Sequence, residues 1–299
     1  MQYNPNSRLD PSQMGSRRQA GGMSPGRTRR GGTVAMGGGA GVIILVVALL
    51  FGLDPSMLLA GMSASSPGAV SQQGESYEDC LTGADIEQNR KCRYVAYTNS
   101  IQAYWTQALP GYTTSQTVTF ANQVSTGCGT ATSAVGPFYC PADNTVYLDT
   151  GFFDGMLSRL GAAGGDAAEA YVIGHEYGHH VQNLTGVLSQ VQSAGRQSGP
   201  TSPQVRLELQ ADCYAGVWFA HADADPTGPI SGVTSDDLNR AVDAALAVGD
   251  DRIQEQTAGK VSPESWTHGS SAQRREWLEL GFTSGDPNLC TTFAADALR

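Results

Sequence analysis

The run Val172 to Gln182, VIGHEYGHHVQ, places His175, His179, His180 and Glu176 inside a largely apolar stretch of a chain that has five histidines in 299 residues. Buried polar groups of this kind must find partners. Only a helix turns the spacing into a site: at about 100° per residue, His175 and His179 stand one turn apart on one face, Glu176 borders that face and His180 points away. Upstream, GGDAAEAYV offers Asp166 as a cap with Glu169 three positions later, so the spacing predicts a helix from about Asp166 to Leu184. His-Glu-x-x-His on a helix gives a divalent metal two imidazoles and sets a carboxylate beside a metal-bound water, as hydrolytic zinc sites require.

A catalytic zinc takes three protein ligands and keeps one position for water. The candidates for the third are Glu208, Asp212, His221, His268 and His180. Glu208 and Asp212 lie four apart in QVRLELQADCYAGVWFAHA, a run with helical spacing, so both carboxylates share a face otherwise flanked by Leu207, Leu209, Ala211 and Ala215. Carboxylates in such surroundings need a compensating partner, and a metal with its imidazoles supplies one. Glu208 is therefore assigned to the zinc, and Asp212 to the far N–H of a ligand histidine, which it would orient. His221 opens the polar stretch HADADPTG and fits surface better than ligation.

The first third of the chain has a different character. Met1 to Ala40 is rich in Gly, Ser, Pro and Arg, with six arginines (Arg8, Arg17, Arg18, Arg27, Arg29, Arg30) against one acid, Asp10. Residues 1–32 are expected to be a disordered basic cytoplasmic leader. From Gly31 to Leu53 there is no charge, and VIILVVALLFGL is strongly apolar, so residues 33–53 are expected to form one transmembrane helix. The arginines before it predict a cytoplasmic N-terminus and everything after Asp54 outside, in a single-pass protein of the cell membrane. A cleaved signal peptide is the competing reading; the long leader favours an uncleaved anchor. Residues 54–76 read as a Ser/Gly/Pro/Gln linker and 77–299 as the folded domain. Removing the leader's six arginines and one aspartate from 18 basic and 28 acidic residues leaves the rest at −15, which argues against a nucleic-acid partner.

All six cysteines follow the apolar segment, an even count that suggests disulfides. Locality pairs Cys80 with Cys92 and Cys128 with Cys140, leaving Cys213 with Cys290. Between them, IEQNRKCRYVAYTNSIQAYWTQAL has helical spacing, whereas QTVTFANQV alternates, and PFYC and TVYLD flank the turn PADN. A short helix over Phe152 to Leu160, one beginning after Thr234 or Ser235, and a last one over SAQRREWLELGF complete the expectation. The fold class is α+β, helix-rich, with a small antiparallel sheet.

GPFYCPAD, HEYGHHVQ, ELQADCYAGVW, GDDR and THGSSAQR, in this order along the chain, resemble the bacterial neutral zinc metallopeptidase family, whose members carry a Gly-rich N-terminus and one membrane segment. The resemblance covers most of Tyr77 to Phe293. His-Glu-x-x-His followed by Glu-x-x-x-Asp is also similar to the gluzincin proteases, which implies a zincin-like metalloprotease domain with one zinc per chain, held by His175, His179 and Glu208. Glu176 would act as general base on the zinc-activated water and then protonate the leaving amine. Thr-His followed by Arg six residues after the His, as in WTHGSSAQRR, is similar to the C-terminal part of membrane-bound gluzincins and implies an active-site role for His268 and Arg274, without fixing which of them touches the developing oxyanion. TVYLD is a candidate edge for an extended substrate, and Asp250 and Asp251 read as an exposed turn. The expected activity is that of a membrane-anchored zinc endopeptidase acting on peptide or protein substrates. The alternatives are a noncatalytic envelope protein with a structural zinc and a zinc amidase acting on cell-wall peptides. A structural site is normally closed by four ligands, which favours the enzyme. Oligomeric state is not readable from the sequence.

Overall fold

The computed structural model describes residues 1–15, 75–133 and 135–298. Its longer helices are α1 (Cys92–Ala108), α2 (Asp166–Leu184), α3 (Pro203–Ala222), α4 (Ser235–Ala247), α5 (Asp250–Ala258) and α6 (Ser271–Ser284). Local chemistry starts most of them. Ser202 caps α3 by accepting from the Val205 N–H, with Pro203 in the first turn. Thr234 with Asp237, and Ser270 with Gln273, form reciprocal capping boxes at α4 and α6. The expected Asp166 cap is absent. Gly165 takes the cap position at φ 99°, and the Asp166 carboxylate instead accepts from Tyr3 and pairs with Arg93.

Helices α2 and α3 are buried on nearly every face, α3 packing against both α2 and α6. Two close approaches set these contacts. A Cβ at Gly178 would lie 2.9 Å from the Ala211 Cα, and one at Gly281 would lie 2.0 Å from the Cys213 carbonyl oxygen. The missing methyl in α2 lets α3 come near enough for short carboxylate side chains to reach imidazoles across the gap.

The sheet differs from expectation. Strands β2 (Gln116–Phe120), β5 (Phe138–Cys140) and β6 (Thr145–Asp149) form a mixed sheet in the order β2-β6-β5, with β2 parallel and β5 antiparallel to β6. Residues 121–144 include the antiparallel hairpin β3 (Gln123–Thr126) and β4 (Gly129–Thr132), and that length suffices to return the chain for parallel pairing. TVYLD is the fully buried central strand, so β2 and β5 are the edges. The helical run beginning at Ile86 is broken near Asn89, leaving a short turn at Asp85–Gln88 before α1; α4 and α5 are separated at Gly249. Val187–Ser193 forms a further short helix, and the Phe152 to Leu160 helix is a π-turn followed by a short α-helical turn.

Residues 1–15, expected to be disordered, are folded. Strand β1 (Gln2–Tyr3) pairs with β7 (Ile230–Ser231), and Leu9 and Met14 are buried in the main core. Tyr3, Leu9 and Met14 are anchors that an average over a Gly- and Arg-rich leader conceals. The expected membrane segment, 33–53, and most of the linker lie outside the described residues. Among the described residues no helix is long and apolar enough to cross a membrane.

The cysteines pair as expected, Cys80 with Cys92, Cys128 with Cys140 and Cys213 with Cys290. The last closes the longest loop, with a sequence separation of 77, and ties the C-terminal tail to α3. Replacing both Cys213 and Cys290 by Ala should cost about 4 kcal/mol, read from the urea midpoint; a change under about 1 kcal/mol would mean that packing alone holds the tail.

Candidate metal centre

Helix α2 presents His175 and His179, and α3 presents Glu208 from across the Gly178–Ala211 contact. All three are buried, and their nearest ligand atoms lie within 4.8 Å of one another. Glu208 Oε2 is 3.2 Å from His175 Nε2 and 3.6 Å from His179 Nε2. Donors at the corners of a zinc tetrahedron are separated by about 3.3 Å, given Zn–N and Zn–O near 2.0–2.1 Å, so these separations are of the right size. The cluster's charge fits as well. His175 is pushed up to about 10: burial opposes the charged ring, but Asp212 and the bond to Glu208 outweigh it. Burial alone would raise Glu208, yet His179 and His175 hold it well below the carboxylate range. Two imidazoles and a carboxylate so arranged call for a cation, and the residues fit zinc.

Each imidazole is fixed from behind. His175 Nδ1 lies 2.8 Å from Asp212 Oδ1, and His179 Nδ1 lies 2.9 Å from Gln182 Oε1. In both, the Nδ1–H donates, which leaves Nε2 directed at the metal position. Gln182 donates in turn to the Leu207 carbonyl at 2.7 Å, so its amide orientation is set by α3. Asp212 also accepts from Tyr171 at 2.6 Å and from Arg274 at 2.9 Å.

The placement of Arg274 differs from the role expected of it. The guanidinium is buried beside Asp212, Tyr171 and the Nδ1 side of His175, where it balances the charge of Asp212. It acts on the far side of a ligand histidine.

His268 precedes α6 and feels the charge of Glu208. Its partner is one that the sequence alone does not mark. Asp250, read there as an exposed turn residue, is buried at the start of α5; its Oδ2 accepts the backbone N–H groups of Thr267 at 2.7 Å, His268 at 2.6 Å and Gly269 at 3.1 Å. The other oxygen lies 3.3 Å from His268 Nδ1. Burial works against a charged His268, but Asp250 and Glu208 offset it and the ring is shifted upward. The only sequence hint was an acid directly after the Gly249 break, whose partner lies 18 residues downstream.

Glu176 sits beside the donors with its carboxyl raised chiefly by burial, a shift that His179, His175 and a hydrogen bond from the Tyr139 backbone N–H counter. Tyr139 is the middle residue of the edge strand β5. The remaining histidines have other partners. His180 meets the Thr113 carbonyl and the Tyr139 hydroxyl, and His221 meets the Gly285 carbonyl while stacking on Tyr104.

Comparison with known proteins agrees with this chemistry. The family described as "Putative neutral zinc metallopeptidase" matches residues 7–293. The uncharacterized protein Rv2575 of Mycobacterium tuberculosis (strain ATCC 25618 / H37Rv) is 48% identical over 253 residues, covering 83% of this chain and 85% of the relative. The uncharacterized protein YpfJ of Escherichia coli K12 is 41% identical over 266 residues, covering 86% and 87%. No solved structure matches.

Proposed function

Because the chain belongs to the neutral zinc metallopeptidase family, we propose that it is a zinc-dependent endopeptidase in which Glu176 moves the protons of peptide-bond hydrolysis. The observation that carries this reading is the position of Glu176, a buried carboxylate beside a three-donor cluster and against the backbone of the edge strand β5. A bound zinc, held by His175, His179 and Glu208, would polarise a substrate carbonyl and lower the pKa of water. Glu176 accepts the proton of the attacking water and delivers it to the leaving amine, and its raised pKa brings it nearer to the neutral range where such exchange is efficient. An extended substrate would pair with β5, bringing one of its carbonyls past Glu176.

His268 feels the charge of Glu208, and its Nδ1 is held by the Thr267 hydroxyl and Asp250, so Nε2 is the nitrogen that would donate to the developing oxyanion. His268→Ala should retain one zinc per chain yet lose roughly ten- to a thousandfold in turnover. Asp250→Asn should lower turnover less and alter the pH profile, because it acts through the ring. Zinc content measured beside turnover decides the role: metal lost with the imidazole would make His268 a ligand.

The experiment for the whole reading is hydrolysis of a denatured protein by the purified chain before chelation, after it, and after zinc is restored. The expected pattern is activity, loss and recovery. Zinc bound at one per chain without hydrolysis of protein or peptide substrates would instead indicate a structural metal.

A further inference from the structure

Residues 1–15 are joined to the body at every stage of their course. After β1 pairs with β7, the Asn4 N–H donates to the Pro229 carbonyl at 3.1 Å, Gly83 N–H to Ser7 at 3.0 Å and Leu9 N–H to Leu81 at 2.9 Å. Side chains continue the contact along α1: Asn99 bonds to the backbone of Asp10, and Gln102 to Gln13. Finally Met14 bridges to Thr117 in parallel, and the Gly15 N–H donates to the Thr117 carbonyl at 2.8 Å, covering the β2 edge of the sheet. The body is shaped for this arm. A Cβ at Gly83 would lie 1.8 Å from the Asn4 carbonyl oxygen, so that glycine permits the close approach. The Cys80–Cys92 disulfide lies directly beneath, with Leu81 and Gly83 following one half-cystine and α1 beginning at the other.

A single membrane crossing between residues 15 and 75 would put this arm and its groove on opposite sides. The uncharged run from Gly31 to Leu53 has the length of one span, not of two. We propose that residues 1–15 are an integral part of the peptidase body and share one compartment with the metal centre, so that the folded chain is not a single-pass protein with residues 1–15 on the cytoplasmic side and the catalytic body outside. The buried Leu9 and Met14, the paired strand and the disulfide below them make arm and body one unit.

The full chain tests this directly, because all six native cysteines are in disulfides. Arg8 and Thr82 oppose each other in an antiparallel bridge. Arg8→Cys with Thr82→Cys should therefore cross-link within one chain on mild oxidation of cell membranes. A cross-linked dimer would give the groove to a second copy's arm, and free thiols would mean an undocked arm; either overturns the proposal. Independently, Asn6→Cys and Ser189→Cys, both at exposed positions, should react alike with a membrane-impermeant maleimide in intact cells expressing each full-length variant. Labelling of one with protection of the other until lysis would restore the single crossing.

Discussion

Glu176→Gln should leave one zinc per chain in place while turnover falls by about 10²–10⁴-fold, the scale of losing a positioned general base. The amide is nearly isosteric, so the Tyr139 N–H contact and the packing around residue 176 survive, and only the capacity to exchange a proton is removed. The contrast is Glu208→Ala. Glu208 Oε2 lies within 3.6 Å of both histidine Nε2 atoms, and its loss should release the metal along with the activity. Atomic absorption on the purified variants, read beside peptide hydrolysis, separates the two. Turnover within a few-fold of the parent in Glu176→Gln would remove that residue from the chemistry, and zinc retained in Glu208→Ala would require another ligand.

The second large effect lies behind the metal. Asp212→Ala should destabilise the protein by about 3–5 kcal/mol, because it leaves the charge of the buried Arg274 unbalanced. It should also weaken zinc binding by about 10–100-fold, the usual consequence of losing the partner of a ligand histidine. The double variant Asp212→Ala with Arg274→Met removes the stranded charge and should recover most of the stability, but not the zinc affinity. Thermal unfolding and competition with a chelator report the two quantities separately. Recovery of both in the double variant would mean that Asp212 serves only to neutralise Arg274.

The metal-binding helix was legible because its signal is local: His175, Glu176 and His179 need only a helical period to come together, and observed α2 has the bounds the spacing predicts. Glu208 and Asp212 were legible for the same reason, two acids on one otherwise apolar helical face. Asp250 was hidden because its meaning depends on Thr267, His268 and Gly269 folding back over it. Arg274 lay in a recognised motif, but which side of His175 it would occupy is a tertiary fact. The pairing of β2 with β6 was invisible for a related reason. Alternation marks a strand, whereas its direction relative to a neighbour depends on how residues 121–144 return the chain. The arm was missed by averaging, since three anchors in fifteen residues barely alter the composition of a longer polar leader.

The supports behind the two histidines have a thermodynamic consequence. Asp212 and Gln182 hold the rings by bonds that need no metal, and the α2–α3 contact at Gly178 and Ala211 is made by backbone and small side chains. The ordering cost of the site is thus met when the helices pack, not when the ion arrives. Zinc would then act as a ligand of an already native state, adding about 2.7 kcal/mol when free metal exceeds the dissociation constant a hundredfold. A zinc finger, by contrast, is unfolded without its metal. On the proposed reading, such a chain would complete its fold and its disulfides where zinc is scarce and be loaded afterwards, so that metal supply would govern how much of the protein is active without governing how much survives.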